Sequence, residues 1–150
     1  MSRRRVAAYV LRERTSWELL VFEHAGLPEA GVQIPAGGVL PDEPTTLAVL
    51  REVFEETGLF ELTIRAQLHT EHKPHPTTGM PRATTFFAVD ALRWTPDTWT
   101  HSVRGDGADA GLTLNCRFVR LPLERPLADD QDAGLGLIDA GFTTVARRPN

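Results

Sequence analysis

Apolar and polar positions fall into short blocks along the chain. RVAAYVLR (5–12) and WELLVFE (17–23) are apolar runs of strand length, and the ERTS turn between them predicts a hairpin. GLPEAG (26–31) reads as a loop, and GVQIPAGG (31–38) as a short strand entering a glycine turn. Residues 44–57 predict a helix, with Pro44 suited to its first turn and Gly58 just past its end. ELTIRAQLHTEH (61–72) and RATTFFAVDAL (82–92) predict two further strands, joined by the turn-rich KPHPTTGMP (73–81). Residues 93–111 have weak periodicity and read as a long functional loop. LTLNCRFVRL (112–121) alternates as a strand, 126–138 is a candidate closing helix despite Gly134 and Gly136, and 141–150 reads as a loose tail. Strands on both sides of one strong helix imply a mixed sheet with a helix packed on it.

That helix has two unlike faces. Successive residues turn by about 100°. Leu47, Leu50 and Phe54 therefore share one side, which is the expected inward face. Glu52, Glu55 and Glu56 gather on roughly the opposite side, with Arg51 as their one cationic neighbour. Like charges such as Glu52 and Glu56 at i,i+4 cost a few tenths of a kcal/mol if nothing offsets them. Two readings remain open: a solvated acidic face, or a site for a hard divalent cation, which takes carboxylate and carbonyl oxygens. The Gly37-Gly38 turn just before it permits close backbone approach to a ligand, and Pro35 fixes the direction of the chain.

Composition narrows the picture. A chain of 150 residues, 41% hydrophobic and 24% charged, suits a single soluble domain over 1–150. A net charge of -4 argues against a broad grip on nucleic acid, and Arg3-Arg4-Arg5 reads as a solvated chain start. The single cysteine, Cys116, sits in an alternating stretch and is expected in the core. VAAYVL is too short for a signal peptide and no run approaches a membrane span, so a cytoplasmic location is expected. There is no GxxxxGK[ST] phosphate loop. Nothing sets the oligomeric state; a homodimer is the commonest oligomer.

The full spacing is Gly37, five residues, Glu43, seven residues, Arg51-Glu52-Val53, one residue, Glu55-Glu56, one residue, Gly58-Leu59. It resembles the Nudix box, GX5EX7REUXEEXGU with U aliphatic, at every specified position. Chance would produce such a match in about one chain in ten million. The resemblance implies an α/β/α sandwich with a mixed sheet and a loop-helix-loop metal site. It implies Mg²⁺- or Mn²⁺-dependent hydrolysis of a nucleoside diphosphate linked to another group X, a small nucleotide or nucleotide sugar such as ADP-ribose. By position, Glu52, Glu55 and Glu56 match the family's metal-binding glutamates, and the Ala36 carbonyl a backbone ligand. Gly37, Glu43, Arg51 and Gly58 match residues that shape the loop and helix, with a Glu43–Arg51 or Arg51–Glu55 ion pair expected. The general base is a box glutamate or an acid from the later RGDGADAG loop, where Asp106 is favoured slightly over Asp109.

The substrate is less legible. Pro74 lies where a marker of ADP-ribose hydrolases would fall, and the downstream tyrosine linked with dinucleoside polyphosphate hydrolases is absent, since Tyr9 is the only tyrosine. His69, His72 and His75 invite a zinc reading, weaker than that of a polar loop facing substrate. Trp94 and Trp99 are candidates to stack on a base, though covering the core edge is the simpler role. Two alternatives stand beside the small-nucleotide hydrolase. An RNA 5'-end pyrophosphohydrolase is disfavoured by the acidic net charge. A non-catalytic nucleotide-binding module is disfavoured by the intact carboxylates.

Overall fold

The unbroken apolar run Val6–Leu11 belongs to a strand buried on both faces. Its side chains alternate between two apolar layers, which is why it shows no polar-apolar alternation of its own. The structure, a computed structural model, describes residues 2–105 and 110–149. The strands are β1 (Arg3–Glu13), β2 (Trp17–His24), β3 (Ala36–Gly38), β4 (Leu62–His72), β5 (Arg82–Ala91), β6 (Thr98–Ser102) and β7 (Thr113–Arg120), and the helix is α1 (Thr45–Thr57). They form one seven-stranded sheet in the order β4-β5-β1-β2-β7-β6, with β3 also paired to β1. Only β1 and β5 run parallel; the remaining pairs are antiparallel, so the sheet is mixed as expected.

Val6, Ala8 and Val10 meet α1 through Val49 and Val53, together with Leu20, Phe22 and Phe87. Ala7, Tyr9 and Leu11 face the other way, against Leu121, Leu123, Leu127 and Leu135. The second outer layer is therefore the C-terminal segment. It is not the regular helix expected over 126–138: Ala128–Leu137 is 3-10 turns broken by positive φ at Asp129 and Asp130. Nor is the tail loose. Thr144 is buried, and Arg147 pairs with Asp130 and Asp132 at 2.6 and 2.7 Å.

α1 is turned differently from the sequence expectation. Ala48, Val49, Val53, Glu56 and Thr57 face inward, Leu50 is half-buried, and Leu47 and Phe54 are exposed at 58% and 38%. The helix carries apolar residues around most of its circumference, so periodicity alone did not select a face. The small Ala48 and β-branched Val49 and Val53 let it sit close to the sheet, near enough for Glu56 to reach β3. Val53→Ala is accordingly expected to cost about 2 kcal/mol, and Leu47→Ala no more than about 0.5 kcal/mol. Equal shifts in melting temperature for the two variants would contradict this orientation.

Candidate active site

Local sequence fixes where α1 begins and ends. Pro44 stands at its N-terminal cap, and Gly58 closes it in the left-handed region at φ 81°, donating its N–H to the Phe54 carbonyl at 2.8 Å. A helix end leaves carbonyls without intrahelical partners. Here β6 and the residues after it supply them: Trp99 Nε1–H donates to Thr57 O at 2.8 Å, the Arg104 N–H donates to Glu55 O at 2.9 Å, and His101 Nε2 lies 3.2 Å from that same oxygen. The sequence had given no sign of β6, which lies within the expected 93–111 loop. It is a short edge strand with a mostly polar composition.

Arg51 ties the preceding loop to the helix. Its Nε and Nη2 donate to the two oxygens of Glu43 at 2.8 and 2.9 Å, and Nη2 also reaches the Gly38 carbonyl at 2.8 Å. Its Nη1 donates to Glu52 at 2.9 Å and to Glu55 at 3.2 Å. Both expected ion pairs are thus present, on one guanidinium. These bonds raise the Arg51 pKa, led by the one to Glu43, and hold the Glu43 carboxyl below its ordinary value. Glu43 also accepts from the Leu40 N–H at 3.0 Å, which closes the loop on itself.

Glu56 accepts a hydrogen bond from the Ala36 N–H at 2.8 Å, which joins the helix to β3. Glu52 lies flat against Gly37. A Cβ at that position would stand 2.1 Å from the Glu52 carboxyl carbon, so any other residue there would push the Glu52 carboxylate out of place. Burial raises the Glu52 pKa, against the opposing pull of Arg51.

The three glutamates line a cavity of about 300 Å³ with Ala36, Gly37 and Gly38. Arg3, Arg5 and Arg82 line its other side, while Arg104 sits beside the glutamates, its backbone N–H on Glu55 O and its guanidinium over the Phe54 ring. The glutamates come from the α1 side of the sheet. Arg3, Arg5 and Arg82 come from the strand faces that carry Ala7 and Phe86, which the C-terminal segment covers. Arg82 is held there by Asp129 at 2.8 Å. The reading of Arg3-Arg4-Arg5 as a solvated chain start holds for the exposed Arg3 and Arg4 and is corrected for Arg5, which is half-buried, although Arg3 also borders the cavity. β1 begins at Arg3, two residues earlier than expected, and strand alternation puts Arg3 and Arg5 on one face. That alternation was the available signal, but their partner Arg82 lies far along the chain.

Other candidates fall elsewhere. Asp106 and Asp109 lie outside the described residues. His75 lines the cavity, and its Nδ1 accepts from the Thr77 and Thr78 amides. His69 stacks on Phe86 at 5.0 Å. Trp99 packs on the core with Phe118, while Trp94 is exposed beside a different cavity, so neither lines this one. Cys116 is buried in the core, and burial pushes its thiol up to about 12.

Carboxylates and backbone oxygens are the donors a hard divalent cation takes, and the room at Gly37 brings backbone and carboxylate together. This donor set fits such an ion. Among the described residues no three His, Cys, Asp or Glu side chains converge as a ready metal cluster. Arg51 engages Glu52 and Glu55, and the Ala36 amide engages Glu56.

Residues 1–126 match the NUDIX domain. Comparison with curated proteins gives no match. Among solved structures, a MutT NUDIX hydrolase from Burkholderia pseudomallei is similar at 20% identity and TM-score 0.61, over 92% of this chain and 98% of that one. The NUDIX domain of Shewanella oneidensis NrtR, complexed with ADP ribose, is similar at 20% identity and TM-score 0.60, over 93% and 85%. A C. elegans Ap4A hydrolase is similar at 20% identity and TM-score 0.55, over 80% and 81%. At such identities these structures speak to the fold, while the domain match covers most of the chain. The chain belongs to the Nudix family of hydrolases, which use divalent metal ions to cleave pyrophosphate bonds.

Proposed function

We propose that the protein is a Mg²⁺- or Mn²⁺-dependent pyrophosphohydrolase acting on a nucleoside diphosphate linked to a group X, with X a small moiety. The observation that carries this reading is the two-sided cavity: Glu52, Glu55 and Glu56 on one wall, Arg3, Arg5 and Arg82 on the other, with Arg104 beside Glu55. A solvated acidic helix face would need no arginine wall opposite it.

Glu52, Glu55 and Glu56, with the Ala36 carbonyl, are the residues to hold the cation. When bound, it would offset phosphate charge and make a water more acidic. The arginines bind and orient the phosphate oxygens through charge-assisted hydrogen bonds, which sets the phosphorus in line for attack. A carboxylate of the cavity accepts the proton of the attacking water, with Asp106 the candidate beyond the box. Arg51 and Glu43 position the helix and loop and do not touch substrate. The similarity to one structure bound to ADP ribose and to another named as an Ap4A hydrolase supports a phosphoanhydride substrate and leaves X open.

The test is hydrolysis across ADP-ribose, nucleotide sugars, dinucleoside polyphosphates and nucleoside triphosphates, each with Mg²⁺, Mn²⁺ or chelator. Turnover of one class that needs the metal supports the reading. Metal binding without turnover of any phosphoanhydride would favour a binding module instead.

A further inference from the structure

This inference rests on the hydrolase reading and concerns X. Arg3 of β1 and Arg82 of β5 are register partners on adjacent strands, and Arg5 follows two residues after Arg3. Three guanidinium groups thus share one face within neighbouring positions. Like charges so placed repel. Burial first, then Arg82 and Arg3, lower the Arg5 pKa. Arg82 has its carboxylate, Asp129, but among the described residues neither Arg3 nor Arg5 forms a salt bridge. Arg3 instead lies on the backbone of the glycine turn: a Cβ on Gly38 would meet its Nη2 at 2.8 Å. Gly37 and Gly38 therefore carry the acidic and basic walls on consecutive residues.

Two further facts bear on the ligand. Among the described lining residues, the one aromatic ring is the His75 imidazole, so the cavity has no broad surface on which a base would stack. A cation on the glutamates would already offset the charge of a diphosphate. With that cation and Arg82 and Arg104 on the two phosphates, Arg3 and Arg5 add more positive charge to the cavity than a diphosphate calls for, even with Glu56 and Asp129 acting on Arg5.

We propose that Arg3 and Arg5, with Arg82 behind them, bind further phosphate on X, so that the preferred substrate is a nucleotide with three or more phosphates in a row. A two-phosphate nucleotide sugar is then a poorer substrate. Recognition runs through the phosphate chain, and the identity of the base matters less than its length.

The experiment compares kcat/KM for nucleoside tri- and tetraphosphates with that for ADP-ribose, in the wild type and in Arg3→Gln, Arg5→Gln and Arg4→Gln. Arg4→Gln removes the same charge from the same strand, but Arg4 does not line the cavity. The wild type is expected to favour the longer chain by at least about tenfold. Arg3→Gln and Arg5→Gln should bring that ratio toward one, chiefly through KM, and Arg4→Gln should keep it. Melting temperatures check that each variant folds, and the exposed Arg3 guards against Arg5→Gln failing to do so. Calorimetry with inorganic tripolyphosphate and pyrophosphate, each with Mg²⁺, reads the same selection without turnover. If no nucleotide is hydrolysed while tripolyphosphate still binds tighter in an Arg3- and Arg5-dependent way, the hydrolase reading falls and the phosphate wall stands. Hydrolysis with no preference for chain length, or equal losses on both substrates in the two variants, overturns the proposal.

Discussion

Glu56→Gln is expected to lower turnover by about 10²- to 10⁴-fold with the protein still folded. The amide is nearly the shape of the carboxylate and keeps an oxygen to accept the Ala36 N–H, a 2.8 Å bond that ties α1 to β3. What it loses is the negative charge inside a cavity otherwise rich in arginine. Glu56 is 6% exposed, so water does little to replace that charge. Circular dichroism and melting temperature should stay close to wild type while metal-dependent hydrolysis collapses. Near-normal turnover in a folded variant would remove Glu56 from the proposed chemistry. Glu43→Gln makes a useful contrast, since Glu43 braces Arg51 and lies outside the cavity lining. It should reduce activity less and lower stability as well.

The largest stability effect is expected at Asp132. Its side chain is fully buried and accepts from the Leu127 N–H at 2.8 Å, Thr144 Oγ1–H at 2.5 Å and Arg147 Nε–H at 2.7 Å. Asp132→Ala strands a buried amide and a buried hydroxyl and leaves Arg147 with Asp130 alone, at a cost of about 3 kcal/mol. Burial raises the carboxyl pKa, but the bonds from Arg147, Thr144 and the Leu127 amide outweigh it and leave the value lowered. A lowered folded-state pKa means that the stabilisation is complete above the unfolded value, near about 4. It fades as pH falls through the folded value. The gap between wild type and Asp132→Ala in denaturant melts should therefore be full at neutral pH and shrink in acid. A gap that widened in acid would contradict the assignment. Activity should fall too, because the same segment carries Asp129 and with it the anchor of Arg82 in the cavity.

The legible part of the site is local in the chain. The Gly37–Leu59 spacing places three carboxylates, a glycine turn and the Arg51 brace within a single loop and helix, so one stretch of sequence holds most of that wall. The basic wall is assembled from β1 and β5, and no local pattern links Arg3 to Arg82. β6 escaped because an edge strand buries little, and Trp99 is its one large apolar side chain. The inward face of α1 was misread because Leu47 and Phe54 carry more apolar area than Ala48, Val49 and Val53. Close packing against the sheet outweighed that area. The 128–147 layer was unreadable as such because it is held by Asp–Arg and Asp–amide bonds more than by periodic apolar residues. By contrast, the mixed sheet and most strand positions followed from apolar runs and turn residues.

On this reading the glutamates of α1 and the arginines lining the same cavity act together on a phosphoanhydride through a divalent cation. The most direct measurement is release of nucleoside monophosphate from a nucleoside polyphosphate, followed with Mg²⁺ and again after chelation, on wild type and on the Glu52→Gln/Glu55→Gln double variant. Turnover is expected to require the metal, stop on chelation, return with added Mg²⁺, and be lost in the folded double variant. Turnover that survives chelation, or persists in that variant, would contradict this reading.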